Sequence, residues 1–538
     1  MRTVDSLKKG NKHIFSGLHI SFAMFYRISI LYLAIPVIVF FIGYLKLVLA
    51  ILFSGLVISA GVWSIRRCEK DNGGSVSDEA RGEITITPSF FAFIVIGTIL
   101  VLYWGGVSEF GCCSSDHRVR YAILNDLVHY KWPIVYDFST QQNPAVIEIL
   151  GEGKAAFAYY FVFWMIPAVV GKLFGVMAAR ITLFIWSAIG LILVAIGVSL
   201  LYKRTSKVMF MALIFFAGFD VIPYVYNRIN DIPTTWEGWN LHLYIHGNFF
   251  QIMNVFNQSI PGWLITILLM MSVNSFSIGM LGGLMFCYSP WATIGILPLC
   301  ICKMIINIRG QKAEGSKSKR LVRGIVSPGN LIIPIVCFIC FASLYTANSN
   351  ATGSNGFIWN FYSSKLTLIK EYLSLFVFDY GIWLLLILRF APQHRKDPML
   401  WTAVGTLLIL PIYKISIAND FLMRGSLSPM FIISVYSVMM VADQFEICRK
   451  SASKLSVAIM ARIILILAIV AAYTPGNQML YSALTSYRMN FTDEPYEYEQ
   501  DMIGSFGNIL KEDQLEMVRT QFYVYDYEDT IFFKYLAR

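Results

Sequence analysis

Apolar runs long enough to cross a bilayer recur from Ile28 to the neighbourhood of Tyr473, and no other feature of the chain restricts its fold so severely. A hydrocarbon layer about 30 Å thick takes roughly 20 mainly apolar residues per helix. Inside it every backbone N–H and C=O must be satisfied within the spanning structure, which leaves helices and closed barrels. Barrel strands alternate with period two, and these runs do not. The expected fold class is therefore all-α: a polytopic membrane helix bundle of about thirteen spans. Composition agrees, since 57% of the 538 residues are hydrophobic and 14% charged, where a soluble domain carries about 25% charged residues.

A net charge of +10 would suit a nucleic-acid partner if it lay on one soluble face. Here Lys and Arg fall in short clusters between apolar runs, so the expected environment is membrane lipid and no nucleic acid. Placing those clusters in the cytoplasm puts the N-terminus (Arg2, Lys8, Lys9, Lys12) inside, with no cleavage site after it, and the polar C-terminal region outside a bacterial plasma membrane. Three regions follow: an N-terminal hairpin and cytoplasmic linker (1–88), a core (89–473) with a large outer loop (108–175), and an extracytoplasmic region (474–538). Aromatic and acidic residues such as Tyr496, Tyr498, Glu499 and Tyr523 to Tyr527 suggest that this last region is an ordered lid.

Charge also decides the run from Tyr159 to Gly175. If it spanned, Lys203, Arg204 and Lys207 would end outside, so it is placed in the interface. Val208–Tyr226, Ile260–Ser272 and Leu400–Ala418 are read as spans. The nine cysteines lack zinc-type spacing. Cys112 and Cys113 sit on the outer side, where their oxidation is an open question.

In the outer loop, Ser114, Ser115 and Asp116 offer a helix N-cap, and Ile123, Leu124, Leu127 and Val128 make one apolar face. Such a helix would lie flat on the membrane. Asp116 then sits at headgroup level beside His117, Arg118 and Arg120, either capping the helix or facing a substrate.

The run Asp116-His117-Arg118-Val119-Arg120-Tyr121-Ala122-Ile123-Leu124, followed by Lys131-Trp132-Pro133-Ile134-Val135-Tyr136, resembles the first outer loop of GT-C membrane glycosyltransferases of the aminoarabinose-transferase and protein O-mannosyltransferase kind. The similarity continues through Tyr159-Tyr160-Phe161, Gly171-Lys172-Leu173-Phe174-Gly175 and Ala178-Ala179-Arg180-Ile181. His117 stands where that family carries a second acid. The resemblance implies a GT-C-like core that transfers a sugar from a polyprenyl-phosphate donor to a lipid, glycan or protein hydroxyl at the outer face. It also implies that Asp116 faces the acceptor, with His117, Arg120 and Tyr121 supporting the loop. It implies no certain cofactor, and leaves a divalent metal open.

An anionic leaving group needs a cation near it. Arg424, in Asn419-Asp420-Phe421-Leu422-Met423-Arg424, stands at an outer junction and is the first candidate to bind phosphate; its alternative is an ion pair with Asp420. Lys414 is a second candidate, with snorkelling as its alternative. The cluster from Trp236 to Gln258 offers His242, His246, Asn257 and Gln258 to a sugar, or forms an interfacial aromatic belt. His242 and His246, at i and i+4, also have a metal-ligand spacing, without a matched acid. Asp220 stands inside an apolar run and is a functional suspect on that ground.

Two rival functions remain: a surface-polysaccharide polymerase or ligase, and a transporter or lipid flippase using Asp220 and Lys414.

Overall fold

A computed structural model of the protein describes residues 17–72, 83–112, 114, 116–139, 144, 147–148, 153–310, 322, 325–348, 355–416, 419–450, 455–492, 503–508, 518–519 and 521–538. The basic N-terminus, Cys113, Ser115, Tyr496, Tyr498 and Glu499 lie outside these residues, as does the side chain of Arg118.

Eight described helices are long and apolar enough to cross a membrane: Phe22–Tyr44, Leu47–Cys68, Val176–Tyr202, Asn248–Met271, Pro290–Gly310, Pro328–Tyr345, Lys365–Phe390 and Leu427–Lys450. Ser456–Ala471 and Tyr473–Phe491, bent by 47° at their junction, make a ninth if taken together. Four shorter apolar helices lie among them: Pro88–Trp104, Val162–Phe174, Ile278–Tyr288 and Pro398–Ile412. The protein is a multi-pass helical membrane protein.

Several expected spans take a different form. Val208–Tyr226 is not one helix: Lys207–Ile214 and Val221–Ile229 are separated by an irregular stretch around Gly218. That stretch is held by Phe219 N–H donating to Phe378 O at 2.7 Å, so a neighbouring helix satisfies the backbone that the break exposes. The Ile260–Ser272 run belongs to the longer helix Asn248–Met271, buried along almost its whole length, with non-helical torsions at Val255. The Leu400–Ala418 run leaves α-helical form after Ile409 and ends in a 3-10 turn, Leu410–Ile412. Tyr413–Lys414 pairs instead as a short strand with Gly356–Phe357.

One end of the bundle carries an extra layer. The helix His117–His129 buries Ile123, Leu124, Leu127 and Val128, as their spacing predicts. That face packs on the helix Met165–Phe174, where Val128 fills the space above Gly171; it meets protein, not lipid as a helix flat on the membrane would. The 10 residues of Met165–Phe174 fall short of the roughly 20 that a span takes. Gly175 follows at φ +90, a torsion that favours glycine, and the chain turns directly into Val176–Tyr202.

Beyond this helix pair, strands Val135–Asp137, Lys154–Phe157 and Tyr523–Val524 form one antiparallel sheet. The C-terminal region thus adds a strand to the loop. It is fastened further by Phe506 N–H, which donates to Asp126 Oδ2 at 2.9 Å, and by Arg538 N–H, which donates to Tyr44 O at 3.0 Å. Tyr136, Phe157, Phe506 and Tyr523 close an aromatic core between the two segments.

Candidate functional site

Two Asp-x-x-x-Arg pairs, far apart in sequence, come together at the loop end of the bundle. Asp116 does not cap its helix, because its side chain accepts no backbone N–H there. It turns instead to Arg120, whose Nη2 donates to Oδ2 at 3.2 Å. The other side of that guanidinium donates from Nη1 to Met253 O at 3.3 Å and lies over the Phe256 ring. Arg120 is buried while Asp116 remains 46% exposed, so the acid is available to a ligand.

The second pair repeats this geometry: Arg424 Nη2 donates to Asp420 Oδ1 at 3.2 Å. Asp420 Oδ2 accepts from the Ser416 hydroxyl at 2.6 Å. Asn419, at φ 55, caps the short helix Asp420–Gly425 through Leu422 N–H and donates from Nδ2 to His242 O at 3.0 Å. The helix sits directly against Pro290–Gly310, for a Cβ on Gly295 would lie 1.8 Å from Gly425 O. Absence of a side chain at residue 295 therefore fixes where Arg424 stands. Arg424 Nε is buried and has no partner among the described residues.

Tyr159, Tyr160, Tyr244 and His246 are within electrostatic reach of both pairs. Arg120 and Arg424 both act electrostatically on Tyr159 and Tyr160, while Asp116, Asp420 and Arg424 act on Tyr244. Burial, reinforced by Arg424, pushes His246 down to about 4, which keeps its ring neutral at pH 7. Its Nδ1 is buried without a partner among the described residues. His117 is also held neutral, chiefly by burial and then by Arg120. Its Nδ1 accepts Ser114 N–H at 2.9 Å, which leaves Nε2 as the protonated nitrogen.

Beside this cluster is a cavity of about 860 Å³, with Trp236, Trp239, Tyr244, His246, Phe250 and Asn254 in its wall. Tyr244 and His246 thus belong to both cavity and charge cluster.

The remaining sequence candidates are placed elsewhere. Lys414 is not inside a span and does not join Arg424; its ammonium lies over the Phe361 ring, 4.4 Å from the centroid. His242 meets the edges of Phe361 and Tyr362. His242 and His246 share no helix, since the chain around them is irregular, and the i, i+4 metal spacing has no structural meaning there. Among the described residues no group of three or more His, Cys, Asp or Glu side chains is arranged to hold a metal. Asn257 and Gln258 are buried within the helix Asn248–Met271, not above it in an aromatic belt. Tyr121 is half-buried in the helix His117–His129, and its hydroxyl forms no hydrogen bond among the described residues.

Residue spacing did not single out Tyr160, Tyr244 or Asn254. The signal for Tyr160 was the Tyr-Tyr step before an interfacial run; for the other two only the crowding of polar and aromatic residues before Ile260 pointed their way. Set against protein-family models, curated proteins and solved structures, the chain matches none of them.

Proposed function

We propose that the protein is a glycosyltransferase of the outer face of a bacterial plasma membrane, a helix bundle of about thirteen spans with a GT-C-like core. It moves a sugar from a polyprenyl-phosphate donor to an acceptor hydroxyl. The observation that carries this reading is the meeting of Asp116–Arg120 with Asp420–Arg424 around Tyr159 and Tyr160. It brings one accessible carboxylate and one guanidinium, whose Nε has no partner among the described residues, into a single electrostatic site.

In the reaction, Asp116 accepts the proton of the acceptor hydroxyl as that oxygen attacks the anomeric carbon. The bond between that carbon and the donor phosphate oxygen breaks, with inversion. The phosphate leaves onto Arg424, whose planar fork matches its oxygens. Arg120 orients Asp116 through their contact. The test uses full-length protein in nanodiscs, given undecaprenyl-phosphate sugars and a membrane extract as acceptor source. Asp116→Asn should abolish transfer and leave the melting temperature unchanged; full transfer by this variant would overturn the mechanism. A requirement for a diphosphate-linked donor would favour a polymerase or ligase.

One observation favours the second reading, a transporter or flippase. Asp220 and Asp379 are buried together where Lys207–Ile214 and Val221–Ile229 break apart, with their two carboxyl groups close enough to interact directly. Ionisable groups beside a broken helix are a coupling-site arrangement. Accessibility labelling of cysteines placed around Asp220 decides it: reaction from both membrane faces supports transport, and reaction from one face excludes it.

A further inference from the structure

We infer that the 860 Å³ cavity beside the arginine pairs is the cleft for a neutral carbohydrate, which serves as the acceptor. Only the word acceptor rests on the transferase reading; the carbohydrate site stands on the cavity itself. Its volume falls within the range of roughly 300–1,000 Å³ usual for ligand sites.

The aromatic walls are fixed before any ligand arrives. Trp236 stacks on Tyr224 with centroids 4.2 Å apart and meets Tyr473 edge-on at 5.9 Å. Trp239 donates from Nε1 to Asp220 Oδ1 at 2.8 Å. Immobilised rings offer stacking area with little ordering cost, and the C–H faces of a pyranose are apolar enough to use it.

Polar capacity in the same wall is unspent. Among the described residues Glu237 Oε1 and His246 Nδ1 are buried without a partner, and the Asn254 amide forms no hydrogen bond. A buried polar atom left unpaired costs about 1–3 kcal/mol. Hydroxyls donate and accept, so a sugar satisfies an imidazole, a carboxyl group and an amide together. A polyprenyl chain would leave all three in hydrocarbon. Glu371 and Lys370 stand in this wall with opposite charges, and burial, then Asp220, pushes the Glu237 carboxyl toward its neutral form, so the wall has no net positive charge to draw an anion. Tyr244 and His246 carry the cleft to the charge cluster, so a sugar bound here presents a hydroxyl toward Asp116.

The test is saturation-transfer NMR on the full-length protein in phosphatidylcholine nanodiscs, with cellotriose, mannotriose and triacetylchitotriose as probes. At least one should bind saturably, and Asn254→Leu and Trp236→Leu should each weaken it at least tenfold at unchanged melting temperature. Undecaprenyl phosphate should not compete. The inference is overturned if none of the three binds, if binding ignores both substitutions, or if undecaprenyl phosphate displaces the sugar. Binding is read without turnover, so the two readings fail separately. Trisaccharide binding without any transfer removes the transferase alone, and transfer without trisaccharide binding removes the carbohydrate cleft alone.

Discussion

Arg424 donates from Nη2 to Asp420 Oδ1 at 3.2 Å while its Nε, buried in the same site, has no acceptor among the described residues. One edge of the guanidinium is balanced within its own helix and another is unused. Leaving a buried donor unmade costs about 1–3 kcal/mol, which an incoming phosphate oxygen would offset. Arg424→Gln should therefore weaken undecaprenyl-phosphate binding by about ten- to a hundredfold. Arg424→Lys should not restore it, because a lone ammonium has no fork. Native mass spectrometry of the nanodisc-reconstituted protein measures both; wild-type affinity in Arg424→Gln would remove this residue from the site.

Gly295→Ala tests the same site without touching a polar group. The added methyl would stand 1.8 Å from Gly425 O, closer than backbone allows, so the helix Asp420–Gly425 must shift. Overpacking of this kind costs roughly 1–3 kcal/mol. We expect a lowered melting temperature together with a loss of phosphate-lipid binding comparable to that of Arg424→Gln. A variant that melts lower yet binds normally would show that helix placement does not matter.

Asp126 makes docking of the C-terminal region depend on pH. Its Oδ2 accepts from the Tyr136 hydroxyl at 2.8 Å and from Phe506 N–H at 2.9 Å, and burial pushes its carboxyl up to about 6 despite these bonds. The folded value lies above the unfolded one near 3.9. Stability from this group is thus fully present below about pH 4 and is lost as pH rises through about 6, an effect of roughly 3 kcal/mol at most. Amide-exchange protection at Phe506, corrected for intrinsic rates, should rise as pH falls from 7 to 5. Asp126→Asn should flatten the profile, and an unchanged slope would assign the effect elsewhere.

His246 should titrate near pH 4 in NMR of ring-labelled protein, because burial and then Arg424 both disfavour its charged form. Removing that charge with Arg424→Gln should raise the midpoint part of the way toward 6.5, burial being the larger cause. A midpoint that ignores the substitution would separate His246 from the arginine cluster.

Much of the architecture is legible without coordinates. Helical spans follow from apolar runs because hydrocarbon offers the backbone no other partner. The loop helix follows from the spacing of Ile123, Leu124, Leu127 and Val128. The break after Ile214 was not legible. A backbone interruption is tolerated where Phe378 O can accept from Phe219 N–H, and no local pattern announces a partner so distant in the chain. Lys414 was misplaced for a related reason: Leu400–Ala418 is mainly apolar, yet strand pairing with Gly356–Phe357 overrode the helix beyond Pro411.

For the site, charge beside apolar runs singled out Arg424, because such charges are costly and few, while Asp116 was singled out by the resemblance of the outer loop. Their ion pairs, the exposure that separates Asp116 from Arg120, and the neutral ring of His246 arise only when loop, broken helix and junction fold onto one end of the bundle. Burial and electrostatic coupling depend on what surrounds a side chain in three dimensions, and those neighbours come from segments far apart in sequence.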